Sequence, residues 1–213
     1  MSGDAAASGA PPVDGFVYVD EIVSGLFVDL KYCTSDNFLG EPVDGYLAPR
    51  VIATRPAAEA LRAVQEELAL FGLGLHVFDA YRPQRAVEHF IRWASDDDDG
   101  STRETFYPGR SKQQLFDEGY VARRSSHTRG STFDLTVATL AEPKCLDMGT
   151  DFDFFGPESW PQWPGASRQQ KNNRLLLRGI MGKHGFEPHD YEWWHFTLRD
   201  EPFPDTYFDF PVG

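Results

Sequence analysis

Residues 125–134 read SSHTRGSTFD, and the overlapping residues 131–138 read STFDLTVA. The second stretch is rich in β-branched residues, which is typical of a β-strand. His127 precedes this strand in a turn that Gly130 makes flexible, and Asp134 follows seven residues later inside the strand. Imidazole and carboxylate groups are both good ligands for divalent metals. The stretch therefore predicts a strand that begins beside a histidine and an aspartate.

The rest of the chain alternates between helical and extended patterns. Apolar residues at helical spacing and period-two alternation predict the elements. The predicted helices cover roughly residues 56–71, 83–94, 112–118 and 168–183, and the predicted strands lie within residues 16–30, 73–79, 131–138 and 191–198. Strands and helices interleave without a clean βαβ repeat. We therefore expect an α+β fold, a single domain in which helices pack on a mixed, mainly antiparallel sheet.

Two segments are expected to lie outside the packed domain. Residues 1–15 are small, polar or proline and show no periodicity, so we expect a disordered N-terminal tail before a domain of residues 16–213. Residues 96–99 are four consecutive aspartates after the second predicted helix. They lack the spacing and the glycine of a calcium loop, so a solvated acidic loop is expected.

Composition limits the class of partner. The chain has a net charge of −13, which disfavours binding to nucleic acid and to anionic membrane surfaces. It shows neither an apolar run long enough for a bilayer nor a secretory signal pattern. Cys33 and Cys145 are too few for a disulfide framework. We expect two reduced thiols in a cytoplasmic protein, with an extracellular disulfide as the less supported alternative.

A second segment, residues 191–195 (YEWWH), carries the other candidate groups. Glu192 and His195 lie three residues apart, and on a regular strand they would point to opposite faces. If both serve one site, the chain must bend around Trp193. With His127 and Asp134, His195 would complete a three-ligand zinc site with a position left for water, whose proton Glu192 would accept.

Ordinary structural roles remain open at this point. An aspartate in a strand often bonds a neighbouring strand, and adjacent tryptophans are more often core than site. The remaining histidines belong to no comparable cluster and are expected to be surface or satisfied core residues: His76, His89, His184 and His189.

The two segments resemble the SxHxxGxAxD and ExxH motifs of D-alanyl-D-alanine dipeptidases of the VanX type. These belong to a zinc D,D-peptidase family that also includes D,D-carboxypeptidases. Further stretches resemble the same family in the same order, so the likeness covers about residues 16–213. They are DEIVSGLFVDLKYCTSDNFLG (20–40), PVDGY (42–46), DAYRPQRAV (79–87), GYVARRSSHTRGS (119–131), MGTDFDF (148–154), EWWHF (192–196) and LRDEPFPDTYFDFPV (198–212).

The resemblance implies a role for eight residues. The implied zinc ligands, one ion per chain, are His127, Asp134 and His195. The implied catalytic residues are Glu192, as general base and acid, and Arg82, which stabilises the transition state. The implied substrate-site residues are Asp153, Ser125 and Tyr32. The implied reaction is hydrolysis of D-Ala-D-Ala, with Asp153 recognising the free ammonium group of this small D,D-dipeptide.

Two positions depart from the family pattern. Thr132 stands where the motif usually has alanine, and it should face the same side of the strand as Asp134. Cys33 replaces a small residue beside Tyr32. We expect the hydroxyl of Thr132 to lie near the site and to be tolerated there.

Several alternatives stay open. The enzyme alternative is a D,D-carboxypeptidase that acts on longer peptidoglycan precursors, and the others are a zinc-binding module without turnover and a purely structural domain. The resemblance is compatible with a homodimer. It is also compatible with a role either in antibiotic resistance or in dipeptide salvage.

Overall fold

Strand β5 (Thr132–Thr139) is the centre of the fold, and seven of its eight residues are buried. The computed structural model describes residues 11–96 and 100–213. The strands are β1 (Phe16–Tyr18), β2 (Phe27–Val28), β3 (Ile52–Thr54), β4 (Leu73–Asp79), β5, β6 (Lys144–Cys145), β7 (Phe186–Pro188) and β8 (His195–Leu198). The helices are α1 (Val19–Ile22), α2 (Arg55–Ala69), α3 (Gln84–Ser95), α4 (Arg103–Phe106), α5 (Lys112–Asp117) and α6 (Arg168–Lys183).

The main sheet has the order β2-β4-β5-β8-β7, with β6 paired to the far end of β5. The β2–β4 pair is parallel, and the other described pairs of this sheet are antiparallel. Strands β1 and β3 form a separate antiparallel pair. The expected α+β domain with a mixed, mainly antiparallel sheet is therefore confirmed.

The two faces of β5 differ: one face packs into the hydrophobic core, and the other carries polar side chains. Phe133, Leu135 and Val137 join the hydrophobic core together with Leu61 of α2 and Met181 of α6. Burying a side chain of this size contributes about 1.5–3 kcal/mol, so this face anchors the strand. The residues between them point to the opposite face of the sheet. That second face carries the polar side chains of β5.

The structure corrects several boundaries. Phe71, predicted to be the last residue of the first long helix, is 74% exposed because α2 ends at Ala69 and the chain turns at Gly72. Pro83 precedes α3 as its N-cap and is not its first residue. The last predicted strand, residues 191–198, begins only at His195. Its hairpin partner β7 was not predicted.

The two segments expected to be unstructured fall partly outside the described residues, namely residues 1–10 and 97–99. Residues 11–15 are placed against the body, which differs from the disorder expected for them. The amide of Phe16 donates to the carbonyl of Val13, and the amide of Arg55 donates to the carbonyl of Gly15. Across the described residues, no helix combines the length and apolar character needed to cross a membrane.

Candidate active site

Three potential metal ligands meet at one end of the main sheet. Asp134 on β5 lies directly opposite His195 on β8 in the antiparallel register. His127 belongs to a short 3-10 turn, Ser126–Arg129, that runs into β5 through Gly130, whose φ is 86°. A side chain at this glycine would also collide with the ring of Phe16. The local backbone thus delivers all three side chains to the same place.

The three donor groups face one another at short distances. His127 Nε2 lies 3.1 Å from Asp134 Oδ2 and 3.3 Å from His195 Nδ1. His195 Nδ1 lies 3.1 Å from Asp134 Oδ1. Donors of a tetrahedral site with bonds of about 2.0–2.1 Å are separated by about 3.3 Å. The spacing of the three groups fits a single metal ion.

The hydrogen bonds behind the two imidazoles support this fit. His127 Nδ1 donates to the carbonyl of Ala80 at 2.7 Å, which leaves a lone pair on Nε2. His195 Nε2 lies 3.2 Å from Ser126 Oγ, and in the tautomer that donates to this hydroxyl the lone pair is on Nδ1. Such outer partners orient metal-binding histidines. Both rings therefore present their lone pairs to the same point.

Asp134 gives an independent indication that this group of side chains can hold a metal ion. Its Oδ1 is buried and accepts no hydrogen bond from any described residue, although His195 Nδ1 is close to it. Burial opposes ionisation, but positive charge and donated protons from the facing imidazoles of His127 and His195, when these rings are protonated, hold the pKa of Asp134 below its usual value. A cation between the three groups would favour the ionised carboxylate in the same way. An ionised, unsatisfied carboxylate oxygen beside two lone pairs is suited to a cation. These three residues form a group able to hold a metal ion.

Glu192 reaches this group because the chain turns before β8. Residues 192–194 are not part of the strand, and the amide of His195 lies 3.4 Å from the carbonyl of Glu192. The turn is fixed by bonds from Trp193 N to Ser159 O and from Leu135 N to Trp194 O. Glu192 Oε2 then lies 3.5 Å from His195 Nδ1. The expected bend around Trp193 is present.

Arg82 lies beside the three donor groups. Its Nε and Nη2 each lie 2.9 Å from Asp79 Oδ2, and its Nη2 donates to Asp134 Oδ2 at 3.3 Å. The guanidinium also stands 5.0 Å from the ring centre of Tyr32 and 5.1 Å from that of Phe90. Burial alone would lower its pKa, but the surrounding oxygens raise it, so the group stays charged.

Asp153 forms a second polar centre in the same cavity. It is 5% exposed, has a φ of 60°, and its Oδ2 accepts a 2.8 Å hydrogen bond from the hydroxyl of Tyr32. Burial, with a further contribution from the charge on Asp134, raises the pKa of Asp153 well above its usual range. A buried carboxylate with one neutral partner is a strong acceptor for a cation that enters the cavity.

Arg174 holds the segment that carries Asp153. It is 3% exposed, and its guanidinium donates to the carbonyls of Met148, Glu158 and Trp160 at 2.6–2.8 Å. These three carbonyls lie on both sides of Asp153 in the chain. Helix α6 therefore holds both ends of this irregular segment through the side chain of Arg174.

The remaining predicted residues have clear contacts. Ser125 Oγ accepts from the amide of His127 at 3.3 Å and so caps the 3-10 turn. The hydroxyl of Thr132 lies 2.9 Å from that of Thr197, which itself lines the cavity. Cys33 donates its thiol to the carbonyl of Ala48 at 3.5 Å. Both departures from the family motif are thus accommodated by local hydrogen bonds.

A single cavity of about 490 Å³ joins these groups. All eight residues that the sequence analysis singled out line it: Tyr32, Arg82, Ser125, His127, Asp134, Asp153, Glu192 and His195. The structure therefore brings together every predicted metal, catalytic and substrate-site residue.

A family model described as D-ala-D-ala dipeptidase, of the peptidase family M15, matches residues 13–213. The chain belongs to this peptidase family. It is 47% identical over 198 residues to a D-alanyl-D-alanine dipeptidase of Streptomyces coelicolor, with 93% of this chain and 98% of that protein covered.

Two further relatives of the family carry the same name. A D-alanyl-D-alanine dipeptidase of Enterococcus faecalis is 46% identical over 200 residues, covering 94% of this chain and 99% of that protein. One from Escherichia coli is 33% identical over 177 residues, covering 83% of this chain and 81% of that protein. The likeness therefore extends over nearly the whole length of these peptidases.

Sequence reasoning missed three contributors to the site of this dipeptidase-family chain. Asp79 is fully buried and holds Arg82, while its other oxygen accepts a 2.6 Å bond from Tyr46. Its position three residues before Arg82 was the signal in the sequence. His189, expected at the surface or in the core, lines the cavity 3.8 Å from Glu192 Oε2. No sequence signal indicated Arg174.

Proposed function

We propose that this chain is a zinc-dependent D-alanyl-D-alanine dipeptidase. The observation that carries the proposal is the convergence of His127, Asp134 and His195 beside a further carboxylate, Glu192, in a cavity that also holds a buried Asp153. Two imidazoles and one carboxylate are the ligand set of many catalytic zinc sites, which keep a further position open. When bound there, zinc would act as a Lewis acid toward the scissile carbonyl and the attacking water.

Glu192 moves the proton in this proposal. Its Oε2 faces the metal ligands, 3.5 Å from His195 Nδ1, and its side chain is 17% exposed. It takes a proton from the attacking water as the oxygen bonds to the peptide carbon. It then passes that proton to the departing amine. One carboxylate thus serves as base and acid, and no covalent acyl-enzyme is required.

Arg82 stabilises the negative charge that develops on the carbonyl oxygen. Its guanidinium is held by Asp79 on one side and reaches Asp134 on the other. This double attachment fixes the direction of the remaining N–H groups before substrate binds. Preorganised donors of this kind stabilise an oxyanion without reorganisation during the reaction.

Asp153 selects a substrate with a free ammonium group. Its buried carboxylate has one described hydrogen-bond partner, the hydroxyl of Tyr32. An ammonium group beside it would form a charge-assisted hydrogen bond in a site with little water. Ser125, which accepts from the amide of His127 and lines the same cavity, would contact the other end of the substrate.

The test compares three substrates at equal concentration: D-Ala-D-Ala, its N-acetylated form, and a longer precursor peptide ending in D-Ala-D-Ala. We expect kcat/KM for the free dipeptide to exceed that for the other two by about 100-fold or more, because they leave Asp153 buried and unpaired. Asp153→Asn should remove most of this preference. Equal cleavage of all three substrates would contradict recognition of the ammonium group. Faster cleavage of the longer peptide would favour the D,D-carboxypeptidase alternative.

A further inference from the structure

A second cavity, of about 610 Å³, lies outside the proposed active site. His76 of β4 and Thr136 of β5 are register partners in the sheet, and both line it together with Cys145 of β6. Thr136 lies two residues beyond Asp134, so this cavity is on the same face of the sheet as the active site. The proposed reaction uses none of these three side chains.

Two buried polar atoms of this cavity lack partners among the described residues. Thr136 is 1% exposed, and its Oγ1 makes no hydrogen bond there. The Nε2 atom of His76 is likewise buried without a hydrogen bond. Buried polar atoms are nearly always paired in folded proteins, so the hydroxyl of Thr136 is available to a bound molecule.

Cys145 and His76 form a thiol–imidazole pair at this cavity. Cys145 Sγ lies 3.5 Å from His76 Nδ1, and His76 Nε2 lies 3.7 Å from Asp29 Oδ2. Lys31 Nζ lies 2.8 Å from the same carboxylate oxygen and adds positive charge beside the pair. Cys145 is an exposed free cysteine on a two-residue edge strand, so a reagent can reach its sulfur.

The order thiol, imidazole, carboxylate is that of an activated nucleophile and its base. Burial raises the pKa of the Cys145 thiol and lowers that of His76. Both shifts favour a neutral thiol and a neutral imidazole in the resting protein. The imidazole is therefore free to accept the proton when the sulfur attacks.

We propose that Cys145 is a modification site that forms a mixed disulfide with a small disulfide, with His76 as the base. The sulfur of Cys145 attacks one sulfur of the reagent, so that bond breaks and a new S–S bond forms. The thiol proton passes to His76 and then to the departing thiolate. Cys145 is oxidised and the released half of the reagent is reduced to a thiol. A polar group on the retained half would pair with Thr136.

The test uses bis(2-hydroxyethyl) disulfide and follows the added mass with time in the full-length, metal-loaded protein. Cys33 is an internal comparison, since its thiol donates to a carbonyl and burial raises its pKa to about 11. In the Cys33→Ser protein the added mass measures the reaction of Cys145 alone, and in the Cys145→Ser protein it measures the reaction of Cys33 alone. We expect Cys145 to react about tenfold faster or more.

His76→Gln keeps a hydrogen-bonding side chain but removes the base. It should slow Cys145 about tenfold or more while leaving the Cys33 rate within twofold. Equal rates at Cys145 with and without His76, or a faster reaction at Cys33, would overturn the proposal. If His76→Gln does not fold, Asp29→Asn provides the second variant, because this carboxylate is partly exposed. It should slow Cys145 about threefold, and an unchanged rate would also overturn the proposal.

Discussion

The two halves of the active-site cavity are held in place by different means. The potential metal ligands sit on or beside hydrogen-bonded strands, where the register of β5 and β8 sets Asp134 opposite His195. Asp153 lies instead in an irregular segment, at a φ of 60°, and that segment is fixed by side-chain bonds from Arg174 to main-chain carbonyls. In the proposed function, catalysis would therefore depend on the sheet, and recognition of the dipeptide on the bonds that α6 makes to an irregular segment.

The largest expected effect is at Glu192. Glu192→Gln preserves the size and polarity of the side chain but removes the base, so kcat for D-Ala-D-Ala should fall by about 10³-fold or more. Zinc content and KM should change little, because the three proposed ligands remain. Steady-state kinetics with metal analysis measure both. Activity within tenfold of the unchanged enzyme would remove Glu192 from the mechanism.

A second large effect is expected at Arg82. Arg82→Lys keeps a positive charge beside the buried Asp79, where complete removal would leave an unpaired charge at a cost of about 3–5 kcal/mol. The lysine loses the planar set of donors, so kcat should fall about 100-fold with KM within threefold. Kinetics over a range of substrate concentrations separate the two parameters. A change confined to KM would reassign Arg82 to substrate binding.

The recognition half should respond differently. Arg174→Met removes three hydrogen bonds to the segment around Asp153, so we expect KM for D-Ala-D-Ala to rise about tenfold while kcat falls less than threefold. Zinc content should be unchanged, because Arg174 makes no described hydrogen bond to the three proposed zinc ligands. Arg178→Met, one turn further along α6, is the matched control. Equal loss of kcat and zinc in Arg174→Met would show that the two halves are not independent.

Local patterns in the sequence predicted much of this molecule. The β-branched stretch after Gly130 indicated β5, and helical spacing indicated α2, α3 and α6, because these elements follow from periodicity within one segment. The eight candidate residues came from motifs and a family resemblance, and all line one cavity. The need for a bend at Trp193 followed from strand geometry alone.

Other features depend on contacts between distant segments and could not be read from any single stretch. Strand β7 is three residues long and exists through its pairing with β8. Arg174 acts on carbonyls up to 26 residues away in the chain, and backbone acceptors leave no pattern in a sequence. The hydroxyl contact of Thr132 with Thr197 likewise depends on strand register.

The central claim is that one zinc ion, held by His127, Asp134 and His195, is required for hydrolysis of D-Ala-D-Ala. The most direct measurement strips the protein with a chelator, adds zinc in steps, and records hydrolysis and bound zinc at each step. We expect activity to be lost on stripping and to return in proportion to bound zinc up to one ion per chain, with no return in His127→Ala protein. Full hydrolysis by the stripped protein, or by His127→Ala protein without bound zinc, would contradict the claim.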